Sequence, residues 1–173
     1  MAMGLGEELA RWLSGCRTLV VMGIGNPLRR DDAVGLELVR ALRGRVPEGV
    51  VLLECGPVPE NLLGQVRRAR PSHVLLVDAA ELGARPGEAR LIGPDRIRGV
   101  AISTHKPPLH ITAGYIKRTM GAEVALLAIQ PADTGFGEGL TPELEEAVAA
   151  LADAVSEALR TSLSRSAPGA PEA

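Results

Sequence analysis

Short aliphatic and β-branched runs alternate with segments of helical periodicity along this chain, and that alternation limits its fold more than any other feature. A continuous apolar run of about 4–8 residues reads as a strand buried on both faces. Such strands separated by helices build βαβ units and a mostly parallel sheet. Arg17–Ile24, Val50–Glu54, His73–Val77, Glu88–Ile92 and Glu123–Ile129 are the strand candidates. Helical patterns occupy Asp31–Arg43, with Val34, Leu38 and Leu42 on one face, then Pro59–Ala69 and Pro107–Met120. Thr141-Pro142-Glu143 opens a last helix with a cap and a first-turn proline, and Leu144, Val148, Leu151, Val155 and Leu159 form its apolar stripe. A further helix is expected around Glu7 to Leu13, while Gly93–Thr104 reads mostly as loop. The expectation is a single three-layer α/β/α domain over residues 1–160, with a mostly parallel twisted sheet of about five strands. The small, polar, proline-containing segment 161–173 reads as a disordered tail.

Charge narrows the partners. With 19 basic and 21 acidic residues the formal charge is -2, so there is no basic field to hold a polyanion, which argues against nucleic acid. Cys16 and Cys55 match no CxxC-type spacing and suggest a reducing cytoplasm. Glu7, Glu8 and Arg11 interrupt what would have to be the apolar region of a signal peptide. Apolar runs such as the one ending at Ile129 fall well short of the roughly 20 residues that a membrane-spanning helix needs. The expectation is a cytoplasmic protein without membrane insertion.

Chemistry in open α/β sheets collects beyond the carboxyl ends of the strands. The segment GIGNPLRRDDAVG, from Gly23 to Gly35, lies at the first such end. Leu28 stands where a dinucleotide fingerprint needs its third glycine, and the GK[ST] of a P-loop is missing, so both nucleotide readings fail. Asp31 and Asp32 fall in a first helical turn, where acidic residues cap donors and favour the dipole. Against that, Asp78 closes the apolar strand VLLVD of a neighbouring unit, and His105 precedes a proline-opened helix whose loop can reach the same sheet end. Two carboxylates and one imidazole suit zinc, nickel or iron and leave positions open for water or substrate. His73, opening a strand, and His110, inside a helix, have simpler structural readings. There is no HExxH, no GxSxG elbow and no motif around either cysteine that suggests an activated thiolate, which leaves metal-assisted hydrolysis open.

Taken together, GIGNPLRRDDAVG, ECGPVPENL, VLLVDAAELGARPGE, STHKPPL and LLAIQPADTGFGEGLTPEL resemble, in order, the nickel-iron hydrogenase maturation endopeptidases, most of all the formate-hydrogenlyase-type subgroup. The resemblance runs from about Leu19 to Leu159. It implies a three-layer α/β/α enzyme that removes a C-terminal peptide from the hydrogenase large-subunit precursor after nickel insertion. It also implies metal-binding positions at Asp32, Asp78 and His105, leaving Asp31 to capping. Nickel carried by the substrate is the implied recognition element, with another divalent ion conceivable in the resting protein. Two other readings compete. GIGNP also resembles peptidyl-tRNA hydrolases, although the following tyrosine and the histidine-asparagine element of that family are missing. A non-cleaving, nickel-sensing chaperone would use the same three side chains.

Overall fold

The computed structural model describes residues 2–102 and 108–164. Helix α1 (Leu5–Trp12) leads into strand β1 (Leu19–Ile24), helix α2 (Val34–Leu42) and strand β2 (Val50–Gly56). Helix α3 (Leu63–Arg68), strands β3 (His73–Ala79) and β4 (Ala89–Ile92), helix α4 (Leu109–Met120), strand β5 (Glu123–Ile129) and helix α5 (Pro142–Ser164) complete the order. The five strands form one sheet, β2-β1-β3-β5-β4. All neighbours run parallel except β4, which lies antiparallel to β5 at an edge.

The uninterrupted apolar runs of β1, β3 and β5 follow from their central position. Leu19, Val21, Leu75, Val77, Ala125 and Leu127 face one core, covered by α1, α2 and α5. Val20, Met22, Val74, Leu76, Val124 and Leu126 face the other, covered by α3 and α4. A strand covered on both faces has no use for polar alternation. The chain moves from β1 out to β2 and then crosses back to β3, so strand order reverses between β1 and β3. That reversal opens a crevice at their carboxyl ends, the place where open α/β sheets bind ligands.

Three local expectations change. The helices expected from Asp31 and Pro59 open as 3-10 turns, Arg30–Ala33 and Pro59–Leu62, before becoming α-helical. Pro94–Gly99, expected as loop, is a 3-10 helix that buries Ile97 against the α3/α4 core; six residues are too few to display a period. Helix α5 continues past Thr161 to Ser164 because Leu163 extends the stripe one turn beyond Leu159 and packs into the core.

His73 is structural, as expected. Its Nε2 lies 3.1 Å from the carbonyl oxygen of Trp12, and its ring meets the Trp12 ring edge-on at 5.1 Å between centroids. Burial, partly offset by the Trp12 carbonyl and Glu123, lowers its pKa below the ordinary 6.5. The unfolded chain therefore takes up this proton at a higher pH than the folded one. Stability carried by the neutral ring is present above 6.5 and is lost as pH falls from there toward the folded value. Acidifying from about pH 7.5 to about pH 5 should lower the Tm of wild type more than that of His73→Gln. Equal slopes in a thermal melt series would remove His73 from this role.

Candidate active site

Glycine geometry places the first carboxylate. Beyond β1 the chain turns through Gly25 at φ +148, where a Cβ would lie 1.9 Å from the carbonyl oxygen of Asp32. At Gly35, in the first turn of α2, a Cβ would lie 2.3 Å from the Val77 carbonyl oxygen and 2.5 Å from that of Ile24. Only hydrogen fits at either position, so the start of α2 presses directly onto β1 and β3. The close approach at these glycines is backbone on backbone. Folded back in this way, the turn lets Asn26 N–H donate to Asp32 Oδ2 at 3.0 Å, while Asn26 Oδ1 accepts from Leu28 N–H at 2.9 Å.

Asp78 closes β3 on the other side of the crevice. It is 3% exposed and Asp32 2%. Asp78 Oδ1 accepts from the Ala79 N–H at 2.8 Å. Burial first, and the charge of Asp32 second, push the Asp78 pKa well above the ordinary carboxylate value, against the opposing pull of the Ala79 N–H. Two coupled carboxylates in a dry crevice favour a shared proton or a bound cation. No group of three His, Cys, Asp or Glu side chains arranged to hold a metal ion occurs among the described residues. The third sequence candidate, His105, lies outside the described residues. Of the three candidates, Asp32 and Asp78 lie close enough to interact electrostatically.

Asp31 does something the sequence did not suggest. Although it stands in the first turn of a 3-10 helix, it caps no donor of its own helix. Fully buried, it accepts from Ala132 N–H (2.9 Å), Asp133 N–H (3.0 Å) and Thr141 N–H (2.8 Å), and the Thr141 hydroxyl donates to it at 2.9 Å. One carboxylate thus fastens both ends of the loop between β5 and α5 to the glycine turn. Further ties reinforce it: Arg30 N–H donates to the Gly137 carbonyl (2.9 Å), Gly137 N–H to the Leu28 carbonyl (2.8 Å), and Arg30 pairs with Asp133 at 2.5 Å. Arg30 takes a left-handed φ of 44 to make these contacts, a conformation that costs a non-glycine residue energy and that the clamp holds in place.

Gln130, at the end of β5, escaped the sequence reading too. Its Oε1 accepts from Leu82 N–H at 2.7 Å and its Nε2 donates to Glu81 at 3.0 Å, tying the chain beyond β3 to the end of β5. A glutamine closing the apolar run LLAIQ was the only signal in the sequence. Neither cysteine offers a nucleophile: burial, with Glu60 adding to it, pushes the Cys55 thiol up to about 12, and burial also raises Cys16. His110 sits in α4, as expected.

An α/β sheet with two buried carboxylates at its switch point and no activated thiol fits a hydrolytic enzyme that does not use a cysteine nucleophile. Residues 36–158 match the HycI family, described as hydrogenase maturation protease, and the chain belongs to that family of endopeptidases. It is 35% identical over 132 residues to the hydrogenase 3 maturation protease of Escherichia coli K12, an alignment covering 76% of this chain and 84% of that one. The crystal structure of the [NiFe] hydrogenase maturation protease HycI from Thermococcus kodakarensis KOD1 superposes with a TM-score of 0.81 at 36% identity, covering 88% of this chain and 99% of that one. The solution structure of the endopeptidase HycI from Escherichia coli gives 0.72 at 32% identity, covering 81% and 90%. Family membership decides for the protease reading over the peptidyl-tRNA hydrolase one. No helix among the described residues is long and apolar enough to cross a membrane.

Proposed function

We propose that this chain removes a C-terminal peptide from the large-subunit precursor of a nickel-iron hydrogenase after nickel insertion, in the cytoplasm, and that Asp32, Asp78 and His105 form its metal-binding and catalytic set. The observation that carries this reading is the buried Asp32–Asp78 pair, in which burial first and the neighbouring Asp32 charge second hold the Asp78 pKa well above its ordinary range. The donor chemistry fits a borderline divalent ion, because a cation relieves the cost of keeping two carboxylates out of water. Completed by the His105 imidazole, such a set leaves room for a substrate carbonyl. A divalent ion held there supplies the charge that polarises the scissile carbonyl.

The residues themselves divide the remaining work. Asp78 gives up its resting proton when a cation is held between the pair, and as a carboxylate it takes a proton from the attacking water and passes it to the leaving amine. Asp32, anchored by the Asn26 N–H, supplies the second oxygen donor. Nickel enters as cargo of the substrate, and the same donors read its presence. In the test, purified protein is mixed with nickel-loaded and nickel-free precursor, and the precursor's C-terminal mass is followed. Loss of a C-terminal peptide from the loaded form alone is the expected result. Binding without any mass change would replace the protease reading with that of a nickel-sensing chaperone.

A further inference from the structure

Most large hydrophobic side chains exposed among the described residues gather at one end of the sheet. Leu28 follows β1, Val58 follows β2 and Phe136 follows β5. Ile111 stands in the first turn of α4, which runs back from that same end toward the start of β5. The remaining one, Tyr115, lies a turn further along α4, where its hydroxyl accepts from Arg67. Scattered single apolar residues need no explanation, but a set that encircles the carboxyl ends of the strands, where Asp32 and Asp78 lie, does.

Phe136 is the most telling. It is the chain's single phenylalanine and is 84% exposed. A slack loop exposes a ring by default, but this loop is fixed on both sides of it. Asp31 holds Ala132 and Asp133 before the ring and Thr141 after it, and Gly137, the next residue, exchanges backbone hydrogen bonds with Leu28 and Arg30. A fully buried carboxylate and a strained arginine thus hold in place a segment whose largest side chain makes no contribution to the core. That expenditure makes sense when the ring's partner is another molecule. A polypeptide that brings a peptide bond to Asp78 approaches the same end of the sheet.

We propose that Leu28, Val58, Ile111 and Phe136 form an apolar docking rim for the folded body of the precursor, around its scissile tail, with Phe136 as the anchor. The occupant rests on the substrate reading above. Rigid aromatic anchors ringed by near-neutral contacts dominate protein interfaces of this kind, and truncating one costs tenfold or more in affinity. The enzyme would then recognise a folded surface as well as a tail sequence.

The test compares full-length wild type, Phe136→Ser and Phe136→Leu in processing of nickel-loaded precursor. For the serine variant, KM should rise about tenfold or more with kcat within about threefold, the pattern of lost uniform binding. Leucine should recover most of the loss, because the rim asks for apolar bulk. Exposure of the ring predicts unchanged Tm for both, which separates docking from folding. A KM for Phe136→Ser within about twofold of wild type overturns the rim while leaving the substrate reading standing. A wild-type chain that leaves the precursor intact overturns the substrate reading and the rim with it.

Discussion

Asp78→Asn should abolish processing and at the same time raise the melting temperature at neutral pH. Asparagine keeps the Ala79 hydrogen bond, since its amide oxygen can accept from the Ala79 N–H as Asp78 Oδ1 does. What it removes is the ionisable group. Burial and Asp32 raise the folded pKa above the ordinary 3.8, so the folded state binds this proton more tightly than the unfolded chain does. Below 3.8 both states are protonated and the carboxyl costs nothing. As pH climbs through that value toward the raised one, the unfolded chain ionises first and stability falls; above the raised value the full penalty is present. The variant carries no such penalty, so its advantage should be absent in acid and should grow toward neutrality. Each kcal/mol recovered corresponds to about 2–4 °C in a chain of this size. Activity should drop by about 100-fold or more, the scale of a positioned acid-base group. Melts in chelator across acid to neutral pH, with processing assayed alongside, give both readouts. Retained processing would remove Asp78 from the site; lost processing with a lower Tm would make it a structural carboxylate.

That coupling of function to local instability was only half legible in the sequence. The strands announced themselves because both faces of β1, β3 and β5 are covered, which forbids polar residues inside the runs. Asp78 was legible for the same reason, as a charge closing such a run. The crevice between β1 and β3 could be anticipated from the βαβ order, although the strand order itself came only with the structure. Long-range polar ties were not legible. Nothing local distinguishes Asp31 from a helix cap, because the donors it satisfies lie 101 to 110 residues further along the chain. Gln130 likewise gives one end of an apolar strand a polar atom whose partners sit 46 to 49 residues away. Phe136 offered no periodic signal either, lying between two glycines in a loop whose shape depends on the Asp31 clamp.

Neighbouring aspartates therefore divide the labour: Asp32 faces the crevice and Asp31 holds the architecture beside it. This separation leads to the second large effect. Asp31→Ala should lower stability by about 3 kcal/mol or more, because it strands three backbone N–H groups and the Thr141 hydroxyl that had converged on one buried carboxylate. In Tm that is a fall of about 6–12 °C. The damage should be local before it is global, since Ala132–Thr141 loses its attachment while the two cores on either side of the sheet keep theirs. Limited thermolysin digestion at a temperature well below the midpoint should then cut near Phe136 faster in the variant than in wild type. Processing should weaken under the same conditions, through a docking segment that no longer holds its shape and not through loss of the carboxylate pair. A Tm within about 2 °C of wild type, with unchanged digestion, would mean that solvent or backbone rearrangement satisfies those donors without Asp31. The clamp would then be incidental, and the fixed exposure of Phe136 would need another cause.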